Sequence, residues 1–139
     1  MFSLNTHFAI ATHVLTALAL HEEPVTSALL ADSVRTNAAF LRTVIGRLTE
    51  AGLVQTRRGA GGGALLARPA RSITLLDVFR ATEGRLQVPR HDCSGADCAV
   101  ADTVPAALAD LERRLDAAAA AELSATTIAD IAGQVVLDH

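Results

Sequence analysis

Arginine and glycine alternate in one short stretch of this chain, Arg57-Arg58-Gly59-Ala60-Gly61-Gly62-Gly63, with Arg68 five residues beyond it. Guanidinium groups grip oxyanions through paired N–H donors. Glycine lets a backbone come close to whatever is gripped. Together they are chemistry for holding phosphate. A nucleotide phosphate loop is one way to build it, but the run lacks a GKS or GKT ending and leads into a strand pattern rather than a helix. The chain has no lysine, which removes both the phosphate-loop lysine and any lysine Schiff base. A glycine-tipped hairpin with arginines at its base, laid against a polyanion, is the better fit.

A second group with chemistry is His91-Asp92-Cys93-Ser94-Gly95-Ala96-Asp97-Cys98, the only place where cysteine occurs. Two thiols spaced C-x4-C allow a reversible disulfide or a sulfenic acid. Arg90 and His91 favour the thiolate, whereas Asp92 and Asp97 oppose it. Cys93, Cys98 and His91 also form a loose partial set for a metal such as zinc, with no fourth ligand named. The plain alternative is two cysteines that only pack. No Ser/His/Asp set, HExxH helix or paired carboxylates stand out. The sequence therefore reads as that of a non-enzyme and implies no cofactor.

The elements that position these groups follow from apolar spacing. Leu4, Phe8, Ala11, Leu15 and Leu18 predict a helix over 3–20. Thr26 or Ser27 caps a short helix, SALLADSV, burying Leu29, Leu30 and Val34. Arg35-Thr36-Asn37 makes a turn, and Leu41, Val44, Ile45 and Leu48 form the buried stripe of a helix over 38–51. Arg42, Thr43, Arg47 and Glu50 lie away from that stripe. Strands are expected over 53–56 and 64–67, then a helix over 73–82 capped by Ser72 or Thr74. Residues 84–101 read as a loop. A long helix starts at Asp102 or Thr103 with Pro105 in its first turn. Its Val104, Leu108, Leu111, Leu115 and Ala118 make a near-heptad seam that suits a second helix. Ser124 caps a last helix carrying Ile128, Ile131 and Val135. The expected fold is mainly α with a small β-wing, a winged helix-turn-helix followed by a long helix. The expected organisation is 1–83 for DNA binding, 84–101 as a sensor loop and 102–139 for dimerisation.

Charge supports this division. The 139 residues carry a net charge of −3, but residues 35–90 hold ten arginines against three acids, and residues 91–139 hold two against nine. Basic charge confined to the middle of the chain is the footprint of a nucleic-acid face. The four phenylalanines, with no Trp or Tyr, argue against base-stacking recognition of single strands or RNA. No apolar run reaches membrane-spanning length, and the start lacks a basic leader, so a cytoplasmic protein with reduced thiols is expected.

The run AGLVQTRRGAGGGALLARPARSITLLDVFRATEG resembles the signature of the Rrf-two family of bacterial winged-helix regulators, and the likeness extends from THFAIATHVL through TNAAFLRTVIGRL to TTIADI. The resemblance implies a homodimer whose long helix crosses its twin, with two winged helices on a palindromic operator in double-stranded DNA. It also implies that the third helix enters the major groove and that Arg58 and Gly59 reach the minor groove. The candidate DNA contacts are Arg35, Thr36, Asn37, Ala39, Phe40, Arg42, Thr43, Arg47, Arg57, Arg58, Gly59, Gly61 and Arg68. Arginine can bond guanine bidentately, and Asn37 can do the same for adenine. Cluster-binding members carry three cysteines where this chain has Cys93 and Cys98, so it looks more like the branch without a cluster. The reading is a dimeric repressor that responds to redox or electrophile stress through Cys93 and Cys98. An iron–sulfur or metal-responsive regulator, or a winged-helix module that binds protein, are the alternatives.

Overall fold

The computed structural model describes residues 6–137. It contains six α-helices: α1 (Thr6–Ala19), α2 (Ser27–Val34), α3 (Ala38–Glu50), α4 (Leu75–Thr82), α5 (Ala99–Leu123) and α6 (Ile128–Ala132). A two-stranded antiparallel sheet, β1 (Val54–Arg57) and β2 (Gly63–Leu66), lies between α3 and α4. Leu4 and the expected start of the first helix lie outside the described residues.

The core gathers around α1, whose Ile10, Ala11, Val14, Leu15 and Leu18 are buried. Leu30 from α2, Leu41, Val44 and Leu48 from α3, and Val78 from α4 close on them. Contact among these four helices needs side chains at helical spacing on each. α2 buries only Leu30, and Leu29 is 61% exposed. An eight-residue helix offers one narrow stripe, and Leu29 falls beside it. Ile45 is half-buried for the same reason at the edge of the α3 stripe.

Helix starts are fixed by side-chain caps. Thr26 accepts the Leu29 amide, and Asn37 accepts the Phe40 amide at 2.8 Å. Thr74 and Asp77 form a reciprocal capping box at α4, and Thr127 and Asp130 form another at α6. Thr127, rather than Ser124, therefore begins the last helix. The two boxes are joined back to back: the Leu75 amide donates to the Thr126 carbonyl, and the Ile128 amide to the Ile73 carbonyl at 2.8 Å. Ile73 and Ile128 are both wholly buried at this junction. α6 thus returns to pack on α1 and shares the core of the N-terminal body, although the sequence groups it with the dimerisation segment.

The long helix begins at Ala99, earlier than expected. It is 25 residues long, about 37 Å at the usual rise, and Pro105 lies inside it rather than in its first turn. Helix can extend upstream because Pro105 obstructs only the carbonyl four residues before it. Its one buried residue is Glu112; Val104, Leu108, Leu111 and Leu115 are half-buried, and Ala118 is exposed. Among the described residues no helix is long and apolar enough to cross a membrane.

Candidate nucleic-acid interface

The arginines divide into two groups. Arg35, Arg42, Arg57, Arg58 and Arg71 are exposed, and none of their side chains takes part in an ion pair or hydrogen bond among the described residues. They lie on the turn before α3, on α3, at the base of the β-hairpin, and in the 3₁₀ turn Ala70–Ser72 that follows it. The others are held by the protein. Arg68 pairs with Asp77 at 3.1 Å and also bonds the Ser72 carbonyl. Arg80 pairs with Asp116, Arg85 and Arg90 with Glu112, and Arg113 and Arg114 with Asp110. An unpaired guanidinium in water is ready to exchange counterions for phosphates, whereas a paired one must first break its partner.

The sequence-based list of contacts draws on both groups. Arg68 is turned toward the start of α4. Arg47 donates to the Thr82 carbonyl at 3.0 Å, which pins α3 to the end of α4. Arg71, absent from that list, is free. Composition counted all of these alike, because ion pairing depends on acids distant in sequence.

α2, the turn 35–37 and α3 form the helix-turn-helix. Arg35 ends α2 in the left-handed conformation, at φ 63°, with its amide bonded to the Ala31 carbonyl. It is the one non-glycine residue with positive φ among the described residues. Asn37 spends its side-chain oxygen on the α3 cap, so bidentate pairing with adenine would cost that cap; its NH2 remains available. Phe40 is half-buried and stacks on His7, ring centroids 4.5 Å apart, which fixes α1 against the start of α3. Ala39, Arg42 and Thr43 are exposed, though the Thr43 hydroxyl donates back to the Ala39 carbonyl. Thr36 is half-buried. A shallow groove lined by Ser27, Arg42, Ile45, Gly46, Thr49, Glu50 and Thr56 runs between α3 and the hairpin.

The hairpin pairs Val54 with Leu66 and Arg57 with Gly63, one residue offset from the expected strands. Gly59 and Gly61 make its exposed tip. Close approach is required at two positions. A Cβ on Gly62 would lie 2.3 Å from the Arg57 carbonyl oxygen, and one on Gly63 would lie 2.4 Å from that of Val25. The second contact exists because Val25 and Ala64 exchange backbone hydrogen bonds of 2.9 and 2.8 Å, tying the wing to the linker ahead of α2. The wing is thereby held in fixed relation to the helix-turn-helix.

Behind this face, residues 84–98 run from α4 to α5 and are strapped to α5 by two acids one turn apart. Glu112 accepts from the Val88 amide at 2.8 Å and from Arg85 and Arg90. Asp116 accepts from Arg80 and from the Leu86 amide. The Val88 amide, then the two arginines, hold the Glu112 carboxyl below its usual range; Arg80 does so first for Asp116. At the other end of this segment Cys98 stands at the N-cap of α5, and Cys93 is half-buried. His91 is exposed. Among the described residues no three His, Cys, Asp or Glu side chains come together as a metal-holding set.

Comparison with known proteins agrees with this architecture. Residues 4–134 match the model of the Rrf2 family, described as an iron-dependent transcriptional regulator. YwnA of Bacillus subtilis, provisionally designated an HTH-type transcriptional regulator, is 30% identical over 129 residues, covering 92% of this chain and 96% of YwnA. The HTH-type transcriptional regulator IscR of Xenorhabdus nematophila is 31% identical over 94 residues, which is 65% of this chain and 57% of IscR. The structure of CymR, the global cysteine regulator of B. subtilis, superposes with a TM-score of 0.74 at 26% identity, covering 98% of this chain and all of CymR. The iron in the family's description is a poor fit to the donors of this chain. It has two cysteines, Cys93 directs its thiol to the Ala101 carbonyl, and no third donor joins them among the described residues. The fold, the free arginines on α3 and the wing, and the family match over nearly the whole length lead to one conclusion: the chain belongs to the Rrf2 family of transcriptional regulators, and it is not an enzyme.

Proposed function

We propose that the chain works in the cytoplasm as a homodimeric repressor that binds a palindromic operator in double-stranded DNA. Residues 1–83 supply the DNA-binding unit. α3 lies in the major groove, with Arg42 reaching base edges and Ala39 and Thr43 beside them. The wing brings Arg57, Arg58, Gly59 and Gly61 to the minor groove and its phosphates. Arg35 and Thr36 contact backbone at the start of α3. Residues 84–101 are the sensor loop, responding to redox or electrophile stress through its cysteines. α5, within residues 102–139, carries the dimer seam of Val104, Leu108, Leu111 and Leu115, because a helix of this length with one buried residue needs a partner.

The observation that supports this most is the sorting of arginines: five free ones lie on the turn, α3, the wing and the turn after it, while those behind are matched to acids. The test is duplex binding followed by fluorescence anisotropy across salt. Four or five free arginines per chain neutralise about eight to ten phosphates per dimer, which gives a slope of about −7 to −9 in log affinity against log salt. Binding that hardly changes between low and moderate salt contradicts the reading. Failure to bind any duplex, with a stable complex to another protein, would favour a protein-interaction module.

A further inference from the structure

Two sulfurs meet the first turn of α5 from opposite ends of one short loop. Cys98 is exposed and stands at the N-cap position of this 25-residue helix. Its sulfur lies by the Ala101 and Val100 amides, which lower the thiol's pKa, although neither contact completes a capping hydrogen bond. Cys93 reaches the same turn, its S–H donating to the Ala101 carbonyl at 3.5 Å. Ala101 thus faces one sulfur with its amide and the other with its carbonyl. The chain between doubles back through a turn closed by the Ala96 amide on the Cys93 carbonyl. Arg90, the cation expected to activate these thiols, is engaged by Glu112. The helix N-terminus takes its place as the positive end.

We propose that Cys98 is the thiol that reacts with hydroperoxides and that Cys93 resolves it to a disulfide within the same chain, altering the first turn of α5. The Cys98 thiolate attacks one peroxide oxygen and the O–O bond breaks. This leaves a sulfenic acid on Cys98 and releases hydroxide or alkoxide; sulfur loses two electrons and the peroxide gains them. Cys93 gives its proton to solvent and attacks the Cys98 sulfur. The S–S bond forms, the S–O bond breaks, and the departing oxygen takes up a proton as water. Afterwards Cys93 no longer donates to the Ala101 carbonyl, and the Cys98 sulfur can no longer form a thiolate facing the amides of Val100 and Ala101. The attachments at Glu112 and Asp116 are untouched, so the change is confined to the start of α5. Its use as a signal rests on the regulator reading above; the thiol chemistry does not.

The test exposes the reduced, full-length chain to hydrogen peroxide, followed by intact mass, thiol titration and hydrogen exchange. The wild type is expected to lose two hydrogens and both thiols without forming cross-linked chains. Exchange at the Val100, Ala101 and Asp102 amides should rise. Cys93→Ser should gain one oxygen, trapped on Cys98 by dimedone. Cys98→Ser should react at least about tenfold more slowly. Equal rates for Cys98→Ser and wild type, a disulfide between chains, or unchanged protection at the start of α5 would each overturn the proposal. Duplex binding by the same reduced sample is measured separately. Its absence contradicts the proposed function and leaves the thiol assignment intact.

Discussion

Arg80 and Asp116 meet as a fork, Nη1 to Oδ1 and Nη2 to Oδ2, each at 3.2 Å, joining the last turn of α4 to the middle of α5. Few other contacts connect α5 to the body, so this fork and the neighbouring Glu112 cluster set the direction of the helix. Asp116→Asn keeps an acceptor but loses the charge and the second prong. The pair is partly exposed, so the expected loss is modest, about 0.5–1 kcal/mol in chemical denaturation. Glu112→Gln should lower the melting temperature further, because Glu112 is buried and serves three donors at once. A Glu112→Gln chain as stable as the wild type would remove the strap from the account.

Acid should act through the same two carboxyls. Both have pKa values below their ordinary ones when folded, Glu112 chiefly through the Val88 amide and Asp116 chiefly through Arg80. A group whose pKa falls on folding stabilises the fold above its unfolded value. That contribution is complete at neutral pH and is lost as the pH drops through the carboxylate range toward the folded values. The melting temperature of the wild type should therefore fall more steeply with acid than that of a Glu112→Gln, Asp116→Asn double variant. Parallel curves would contradict this.

Arg58 and Arg68 stand ten residues apart on the same hairpin and its exit, yet they should fail differently. Arg58→Ala should weaken duplex binding by about 1–3 kcal/mol and leave the melting temperature unchanged. Arg68→Ala frees Asp77, a member of the α4 capping box, and should lower the melting temperature with a smaller effect on DNA. The pair of measurements, melting and anisotropy on both variants, separates contact from support. Equal effects on DNA would contradict the division of arginines.

Arg35 holds a left-handed backbone that costs a side-chain-bearing residue about 1 kcal/mol. Glycine is the residue this conformation favours. Arg35→Gly should preserve or raise the melting temperature while reducing DNA affinity and the salt slope. Undiminished affinity would assign Arg35 no place in the interface.

The legible parts of this chain were those written in local signals. Helical spacing located α1, α3 and α4, Gly-rich punctuation located the wing, and Thr26 and Thr74 marked the caps of α2 and α4, whereas α5 and α6 have Cys98 and Thr127 at their N-cap positions instead of the expected Asp102 or Thr103 and Ser124. What was not legible depended on contacts across the fold. The acids of α5 that neutralise Arg80, Arg85 and Arg90 lie more than twenty residues from them, so the basic stretch looked wider than the free charge it presents. Arg47 and Arg68 were indistinguishable from Arg42 and Arg58 until α4 was in place. Pro105 suggested a helix start, whereas the helix runs upstream to Ala99, with Cys98 at its N-cap position. The return of α6 to α1 depends on Ile128 meeting Ile73, a pairing no spacing rule announces.

In the proposed function, α3 and the wing of two chains read a duplex as a symmetric pair. Selection from a pool of randomised duplexes tests it most directly, with the wild type beside an Arg42→Ala, Arg58→Ala variant. The wild type should enrich an inverted repeat whose half-sites lie about one helical turn apart, and the variant should enrich none. A pool that stays random with the wild type, or an identical repeat enriched by the variant, would contradict it.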